Sequence, residues 1–253
     1  MPKKHLGAQT VRFDFPPSIL AAASVAGKKE GEGPLGRCFD LVSQDTKFGQ
    51  TSWEKAESQM QTLALNTALG KAKLQASDLH FLFAGDLLNQ CIGSGFAARG
   101  TDIPYYGLYG ACSTMAEGLG LAAMMVEAGY GEYTAAVASS HFASAERQYR
   151  LPLEYGGQRT PTAQWTVTGC GAMILGQHGK PPYVRGLTTG KVVDLGITDA
   201  NNMGAAMAPA FADTVISHFR DSGLGPENYD LIVSGDLGSV GTELALDLLR
   251  RAG

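Results

Sequence analysis

The sequence predicts an α/β fold built from two related halves, and an internal repeat is the main reason. SDLHFLFAGDL (residues 77–87) resembles NYDLIVSGDL (residues 228–237), and Asp86 and Asp236 are 236 − 86 = 150 residues apart. Each segment has the pattern of a buried strand and follows a segment with amphipathic helical periodicity. The composition, 44% hydrophobic with 33 glycines in 253 residues, is typical of a globular α/β protein with tight turns.

The expected elements of the first half alternate between strands and helices. A first strand is expected over residues 19–25, followed by a glycine-rich charged loop over residues 27–36. Thr51 and Glu54 have the spacing of a capping box, so a helix should cover residues 52–73. Its predicted buried stripe consists of Ala56, Met60, Leu63, Ala64 and Thr67. Further strands are expected over residues 79–85, 103–110, 133–141, 162–169 and 171–176.

The repeat also predicts where the halves meet. The first half should cover residues 1–178 and the second should begin with residues 179–253, where Met207, Phe211, Val215 and Phe219 mark a helix. The first copy continues to about residue 176, whereas the second stops 253 − 236 = 17 residues after Asp236. We therefore expect an incomplete second half, and site groups from its remainder would not be found here.

Charge and cysteine content narrow the function classes. The net charge of −4 shows no electrostatic footprint for nucleic acid. The four cysteines, Cys38, Cys91, Cys112 and Cys170, are scattered without a CxxC pair, which argues against a zinc site and a disulfide framework. No segment has the pattern of a secretory signal or a membrane span, so a soluble protein without metal or cofactor is expected.

The stretch GACSTMAEGLGLAAMMVEAG (residues 110–129) offers the first candidate site residue. A strand, a turn of small residues and then Cys112 before a long apolar helix is a geometry that exposes a nucleophile. The helix start would favour a thiolate, and its N–H groups could also hold an oxyanion or a ligand carboxylate. The alternative is a packed, inert cysteine, since free cysteine is often buried. The apolar residues all round this helix predict that it lies at the centre of the protein.

Four other residues join the candidate site. His141 ends a predicted strand, where it would emerge at the carboxyl edge of the sheet, or serve as a hydrogen-bonded structural histidine. Asp86 occupies the same kind of strand end and either lines a pocket or caps the next turn. Arg147 and Arg150 lie in a loop that also contains Arg159, which is either solvated or an anion-recognition loop.

Six motifs together resemble the stage V sporulation protein AD family of the thiolase-like superfamily. They are KEGEGPL (29–35), SWEKAE (52–57), YGACSTM (109–115), ASSHF (138–142), PLEYGGQR (152–159) and TAQWTVTG (162–169). The resemblance covers essentially the whole chain. It implies a thiolase-like fold of duplicated βαβαβ halves in α-β-α-β-α layers, with the second half incomplete here.

The resemblance also implies a function. Members are regarded as non-catalytic binding proteins for dipicolinic acid, free or as its calcium chelate, that act with membrane proteins in its uptake into the developing spore. Cys112 matches the thiolase nucleophile position, and Asp86 and His141 match pocket positions. A protonated His141 and an arginine could attract the dianion. The implied location is the cytoplasmic face or periphery of a spore membrane, and a homodimer is expected. The alternative is an acyltransferase or condensing enzyme that uses Cys112 as its acyl-carrying nucleophile.

Overall fold

A computed structural model describes residues 4–149, 164–199 and 201–253. These residues form two compact units. The larger unit lies within Phe15–Tyr155 and Thr166–Val184, and the smaller lies within Met1–Asp14, Gly156–Trp165 and Arg185–Gly253. The larger unit contains the candidate site residues that the structure describes.

Strands and helices alternate along the described residues, as the sequence predicts. The strands are β1 (Thr10–Arg12), β2 (Ser18–Ala26), β3 (Leu41–Val42), β4 (Phe81–Gly85), β5 (Tyr105–Leu108), β6 (Tyr133–Ser140), β7 (Gly169–Gly176) and β8 (Gly186–Thr188). The helices are α1 (Lys28–Gly31), α2 (Trp53–Ala72), α3 (Ile92–Ala98), α4 (Thr114–Glu127), α5 (Phe142–Tyr149), α6 (Met203–Ser222) and α7 (Gly238–Ala252).

Six strands of the larger unit form one mixed sheet in the order β3-β2-β7-β6-β4-β5. β4 is parallel to both of its neighbours, so that Gly85 pairs with Leu108 of β5 and with Ala138 of β6. β7 runs antiparallel between β6 and β2. The carboxyl ends of β5, β4 and β6 therefore meet at one edge of the sheet.

The sheet is covered by a helix on each face, as the alternation of side chains along β6 shows. Ala135 and Val137 belong to the core that the sheet shares with α2. On the other face, the Thr134 hydroxyl donates to the Ala122 carbonyl oxygen of α4 at 3.2 Å. Burial of small apolar side chains on both faces explains why these strands read as continuous apolar runs.

The structure corrects three details of the expected elements. Ser52, not Thr51, caps α2, because its hydroxyl accepts a hydrogen bond from the Lys55 N–H at 3.3 Å. The loop predicted over residues 27–36 contains the short helix α1. The segment predicted as a strand over 162–169 is irregular at residues 164–168, and its earlier residues lie outside the described ones.

The helix α4 is also less buried than predicted. Ala122, Ala123 and Val126 are buried, but Met124 is 43% exposed. The helix packs one side on the sheet, so its apolar outer side is not enclosed among the described residues.

The internal repeat is visible in the helices. α2 and α6 each have 20 residues and begin 203 − 53 = 150 residues apart. Each precedes a short 3-10 turn, and these turns begin 226 − 76 = 150 residues apart. The strand expected after the second turn does not form in the described chain, and Leu231 and Val233 are each 77% exposed. The duplication therefore extends to local structure even where the strand does not pair.

In the smaller unit, α6 and α7 approach closely at a pair of glycines. A Cβ atom at Gly204 would overlap the Leu237 carbonyl oxygen and lie 3.1 Å from the Gly241 nitrogen. We expect Gly204→Ala to destabilise the packing of α6 on α7 by about 2 kcal/mol, because backbone atoms cannot move aside cheaply. Urea unfolding followed by circular dichroism measures the change.

The matched control is Gly70→Ala, in α2, where an added Cβ meets nothing within 4 Å. Removing the flexibility of a helical glycine should stabilise that variant by about 0.5–1 kcal/mol. Equal effects of the two substitutions would contradict the close helix contact.

Candidate functional site

Three of the predicted site residues lie at the same edge of the sheet. Asp86 directly follows β4, His141 directly follows β6, and Cys112 lies in the turn between β5 and α4. Because β6, β4 and β5 are parallel neighbours, these positions are adjacent at their carboxyl ends. This edge is where open α/β sheets bind their ligands.

Cys112 is exposed on a tight turn before α4. Residues Ala111–Ser113 form one 3-10 turn, and the Ser113 hydroxyl donates to the Gly110 carbonyl oxygen at 2.8 Å. Ala111 has a φ of 47°, which is uncommon for a residue with a side chain. A Cβ atom at residue 110 would overlap the carboxylate of Glu117, so this carboxylate lies against Gly110. The turn therefore presents the thiol outward beside an acidic side chain.

Asp86 is buried and its carboxylate is occupied by main-chain and side-chain donors. Oδ1 accepts the Leu88 N–H at 2.8 Å, and Oδ2 accepts both the N–H and the hydroxyl of Ser94 at 2.6 Å. These bonds tie the end of β4 to the start of α3. The structure thus shows Asp86 as a cap of the following turn, which is one of the two roles considered from the sequence.

His141 is buried, and both of its ring nitrogens face the main chain. Nδ1 accepts the Ala143 N–H at 3.1 Å, which leaves the proton on Nε2 to donate to the Thr46 carbonyl oxygen at 2.7 Å. Burial lowers the pKa of His141 below its usual value, although the bond to Thr46 and the charge of Glu30 oppose that change. The expectation of a protonated His141 is therefore corrected: the ring is held in its neutral form.

Arg147 lies on α5, and its charged group contacts two residues of α2. Its guanidinium pairs with the carboxylate of Glu54 and lies over the Trp53 ring, 5.7 Å from the ring centroid. A ligand would have to compete with Glu54 for this cation. Arg150 and Arg159 lie outside the described residues.

The structure adds a buried acid that sequence reasoning missed. Glu57 of α2 is 0% exposed. Its two oxygens contact the hydroxyls of Ser139 and Ser144 at 3.0 and 2.9 Å. Burial, and then the charge of Asp86, raises the pKa of Glu57 to about 7.

Gln61, one helical turn after Glu57, links this acid to Asp86. Its amide nitrogen lies 2.8 Å from both the Ser139 and Ser94 hydroxyls and 3.3 Å from the Gly85 carbonyl oxygen. Glu57 and Gln61 lie on the same face of α2 as Ala56 and Met60, which are completely buried. Two polar residues four apart within a buried apolar stripe are the sequence signal that could have revealed this network.

At this edge of the sheet the Cys112 thiol is accessible, whereas Asp86 and His141 are buried and hydrogen-bonded to neighbouring residues. No group of three or more histidine, cysteine or acidic side chains in the described residues is arranged to hold a metal ion. Likewise, no helix in those parts of the chain is long and apolar enough to cross a membrane.

Comparison with known proteins places the chain among sporulation proteins. The sequence profile of the Stage V sporulation protein AD family matches residues 7–253. Stage V sporulation protein AD of Bacillus subtilis (strain 168) is 45% identical over 250 residues, which cover 99% of this chain and 74% of that protein.

Solved structures identify the fold. A cerulenin-bound OleA from Xanthomonas campestris has a TM-score of 0.62 at 14% identity. The similarity covers 94% of this chain and 80% of the OleA chain. The tetronic acid condensing enzyme AbyA1 has a TM-score of 0.57 at 18% identity, covering 92% and 83%. The 3-oxoacyl-[acyl-carrier-protein] synthase III of Aquifex aeolicus has a TM-score of 0.54 at 11% identity, covering 92% and 81%. The predicted thiolase-like fold is therefore confirmed.

Proposed function

The chain belongs to the stage V sporulation protein AD family, and on this premise we propose that it is a non-catalytic binding protein for dipicolinic acid. The ligand would be bound, free or as its calcium chelate, during uptake into the developing spore. The observation that carries the proposal is the position of Asp86, Cys112 and His141 at the ends of three neighbouring parallel strands. A flat ligand at that edge would lie on the Cys112 turn, beside the loops that Asp86 and His141 hold in place.

The turn at Cys112 is the part of this edge that a ligand can contact directly. Cys112 is exposed, and α4 begins two residues later. The first N–H groups of a helix lack partners within the helix and attract anionic oxygens. We therefore expect a carboxylate of dipicolinate to lie against the start of α4, with Cys112 as the floor of the site.

Asp86 and His141 have a supporting role in this proposal. They are 1% and 3% exposed, and their polar atoms are engaged with neighbouring residues. Both hold the loops that follow β4 and β6. Their contribution to ligand binding would therefore be to keep the edge of the sheet in the right shape. Arg147 would contribute after leaving Glu54, and a contribution from Arg150 remains a prediction.

Charge at the site favours the chelate over the free dianion. The carboxylate of Glu117 lies against Gly110, and Asp86 accepts three hydrogen bonds at the same edge of the sheet. Acidic groups repel a dianion but not a complex whose two charges are balanced by calcium. The proposal therefore includes tighter binding when calcium accompanies dipicolinate.

The neutral ring of His141 supports the non-catalytic interpretation. A thiolase-like nucleophile needs a base within hydrogen-bond reach. The nitrogens of His141 are used by Ala143 and Thr46. The alternative, an acyltransferase that carries an acyl group on Cys112, is favoured by one observation: the thiol is exposed on a turn with a positive φ at Ala111.

Calorimetric titration with dipicolinate tests the proposal, with and without calcium. We expect saturable binding by the wild type that Cys112→Trp weakens about tenfold or more, since the indole would occupy the floor of the site. The control is Cys38→Trp, because Cys38 is the other exposed thiol. Absence of binding, together with stoichiometric acylation of Cys112 by an acyl-CoA, would support the enzyme instead.

Uptake of dipicolinate moves a charged compound across a membrane, at a large energetic cost in the bilayer. The proposal therefore includes membrane proteins as partners and a location at the periphery of a spore membrane. A homodimer belongs to the same set of expectations.

A further inference from the structure

The hydroxyl of Ser144 lies between two oxygen atoms. It is 2.9 Å from Oε2 of Glu57 and 3.1 Å from the carbonyl oxygen of His141. A serine hydroxyl has one hydrogen to donate, whereas an ionised carboxylate and a carbonyl can only accept. Each contact has a hydrogen of its own when Glu57 carries a proton and donates it to Ser144, which then donates to His141.

The hydrogen bonds between Glu57 and Asp86 can be given donors and acceptors that agree with a protonated Glu57. Gln61 Nε2 has two hydrogens, and it lies 2.8 Å from the hydroxyls of both Ser139 and Ser94. Ser139 then donates to Oε1 of Glu57 at 3.0 Å, and Ser94 donates to Asp86 at 2.6 Å. A single chain of hydrogen bonds therefore runs from the ionised Asp86 to the main chain of His141.

We infer that Glu57 is a proton-bearing positioning residue that couples the loops of Asp86 and His141, so that its protonation regulates ligand affinity at their edge of the sheet. This inference rests on the proposed function as far as the ligand is concerned. The protonation of Glu57 itself does not depend on it.

The surroundings of Glu57 favour the neutral acid. A Cβ atom at Gly93 would lie 3.2 Å from Oδ2 of Asp86 and 3.3 Å from Cγ of Glu57, so both acids lie against this glycine. Burial and the charge of Asp86 raise the pKa of Glu57 to about 7. The half-buried Glu54 on the same helix has Arg147 as its partner, so that cation is engaged elsewhere.

The other titratable groups around Glu57 come from the elements packed on α2. β7 contributes the Cys170 thiol, whose pKa is raised by burial and then by the charge of Glu57. The end of β4 contributes Asp86. The start of α5 contributes His141, whose pKa is lowered mainly by burial. None of these groups offers a positive charge at neutral pH.

Loss of the Glu57 proton changes both ends of this chain of hydrogen bonds. An ionised Glu57 takes the hydrogen of Ser144, so the carbonyl of His141 loses that donor and keeps only the Ala145 N–H. Two ionised carboxylates, those of Glu57 and Asp86, would then repel each other, which is unfavourable in a buried site. The loops after β4 and β6 should separate, and the ligand should bind more weakly.

The test is titration with dipicolinate and calcium at about pH 6 and about pH 8, on either side of the Glu57 pKa of about 7. Wild-type affinity should fall at least about fivefold at the higher pH. Glu57→Gln should lose this dependence, because an amide can donate to Ser144 and accept from Ser139 at any pH. The control Glu32→Gln, at an exposed acid, should keep it. Unchanged pH dependence in a folded Glu57→Gln variant would overturn the coupling.

Infrared difference spectra separate this inference from the proposed function. The wild type at about pH 6 should show the carbonyl band of a buried protonated acid, which Glu57→Gln removes and Glu32→Gln retains. If no variant binds dipicolinate, the proposed function fails while the band still supports a neutral Glu57. If the band is absent, the inference fails even when dipicolinate binds. Should Glu57→Gln not fold, Ser144→Ala serves instead: it should keep the band and reduce the pH dependence of affinity, because the His141 carbonyl then has no Ser144 donor to lose.

Discussion

Replacing Gly85 by alanine should destabilise the larger unit by about 3 kcal/mol, one of the two largest effects expected for this protein. Gly85 is the last residue of β4, directly before Asp86. An added Cβ atom would overlap the Leu108 carbonyl oxygen and lie 2.5 Å from the Thr114 methyl group. The first is main chain of the adjacent strand and the second belongs to the first turn of α4, so neither can move without shifting its element.

The same substitution should affect the candidate site. Because Thr114 begins α4, an alanine at residue 85 would push the Cys112 turn away from the edge of the sheet. Equilibrium unfolding in urea measures the loss of stability, and the reactivity of Cys112 toward a thiol reagent reports the displacement of the turn. The matched control is Gly171→Ala in β7, where an added Cβ meets nothing within 4 Å. Similar stabilities of the two variants would show that α4 does not need the glycine.

The contribution of Glu57 to the free energy of unfolding of the wild type should fall as the pH rises from about 4.5 to about 7. The folded protein holds the Glu57 proton up to a pKa of about 7, whereas the ordinary pKa of a glutamate in an unfolded chain is 4.5. Within that window the folded state binds a proton that the unfolded state has released, so unfolding becomes easier with rising pH. The stabilisation is complete below the lower pKa and lost above the higher one. Its size is about 3 kcal/mol.

A comparison of Glu57→Gln with the wild type isolates this contribution. The variant has no proton to lose, so its stability relative to the wild type should rise by about 3 kcal/mol between about pH 4.5 and about pH 8. Urea unfolding at several pH values within this range measures it. Glu32→Gln should follow the wild type, because its side chain is exposed. Parallel profiles for Glu57→Gln and the wild type would mean that folding does not raise the pKa of Glu57.

The main elements could be predicted because they depend on local patterns. The 150-residue spacing predicted from Asp86 and Asp236 reappears in the starts of α2 and α6, since helical periodicity is encoded within each segment. The strand expected over the second copy did not form, although Leu231 and Val233 suit a strand. A strand needs a neighbour to pair with, and sequence pattern alone does not supply one.

The candidate site was only partly predictable for a related reason. Asp86, Cys112 and His141 were chosen because polar residues after buried strands emerge at a sheet edge. Their sequence positions could not reveal that Asp86 would be occupied by Ser94, or that His141 would be held neutral by Thr46 and Ala143. These partners are set by loop geometry. Arg147 shows the same limit, since its partner Glu54 lies on another helix.

By itself, the sequence determined the α/β class, the repeat, the family resemblance and the strand ends that carry the candidate residues. All of these follow from short-range periodicity and from motifs that can be read in order along the chain. Only the tertiary structure decided the charge states and hydrogen-bond partners at the edge of the sheet. Glu57 illustrates the difference: on α2 it is an ordinary helix-forming residue, and its high pKa arises from burial beside Asp86. Desolvation and contact between distant segments exist only in the folded chain.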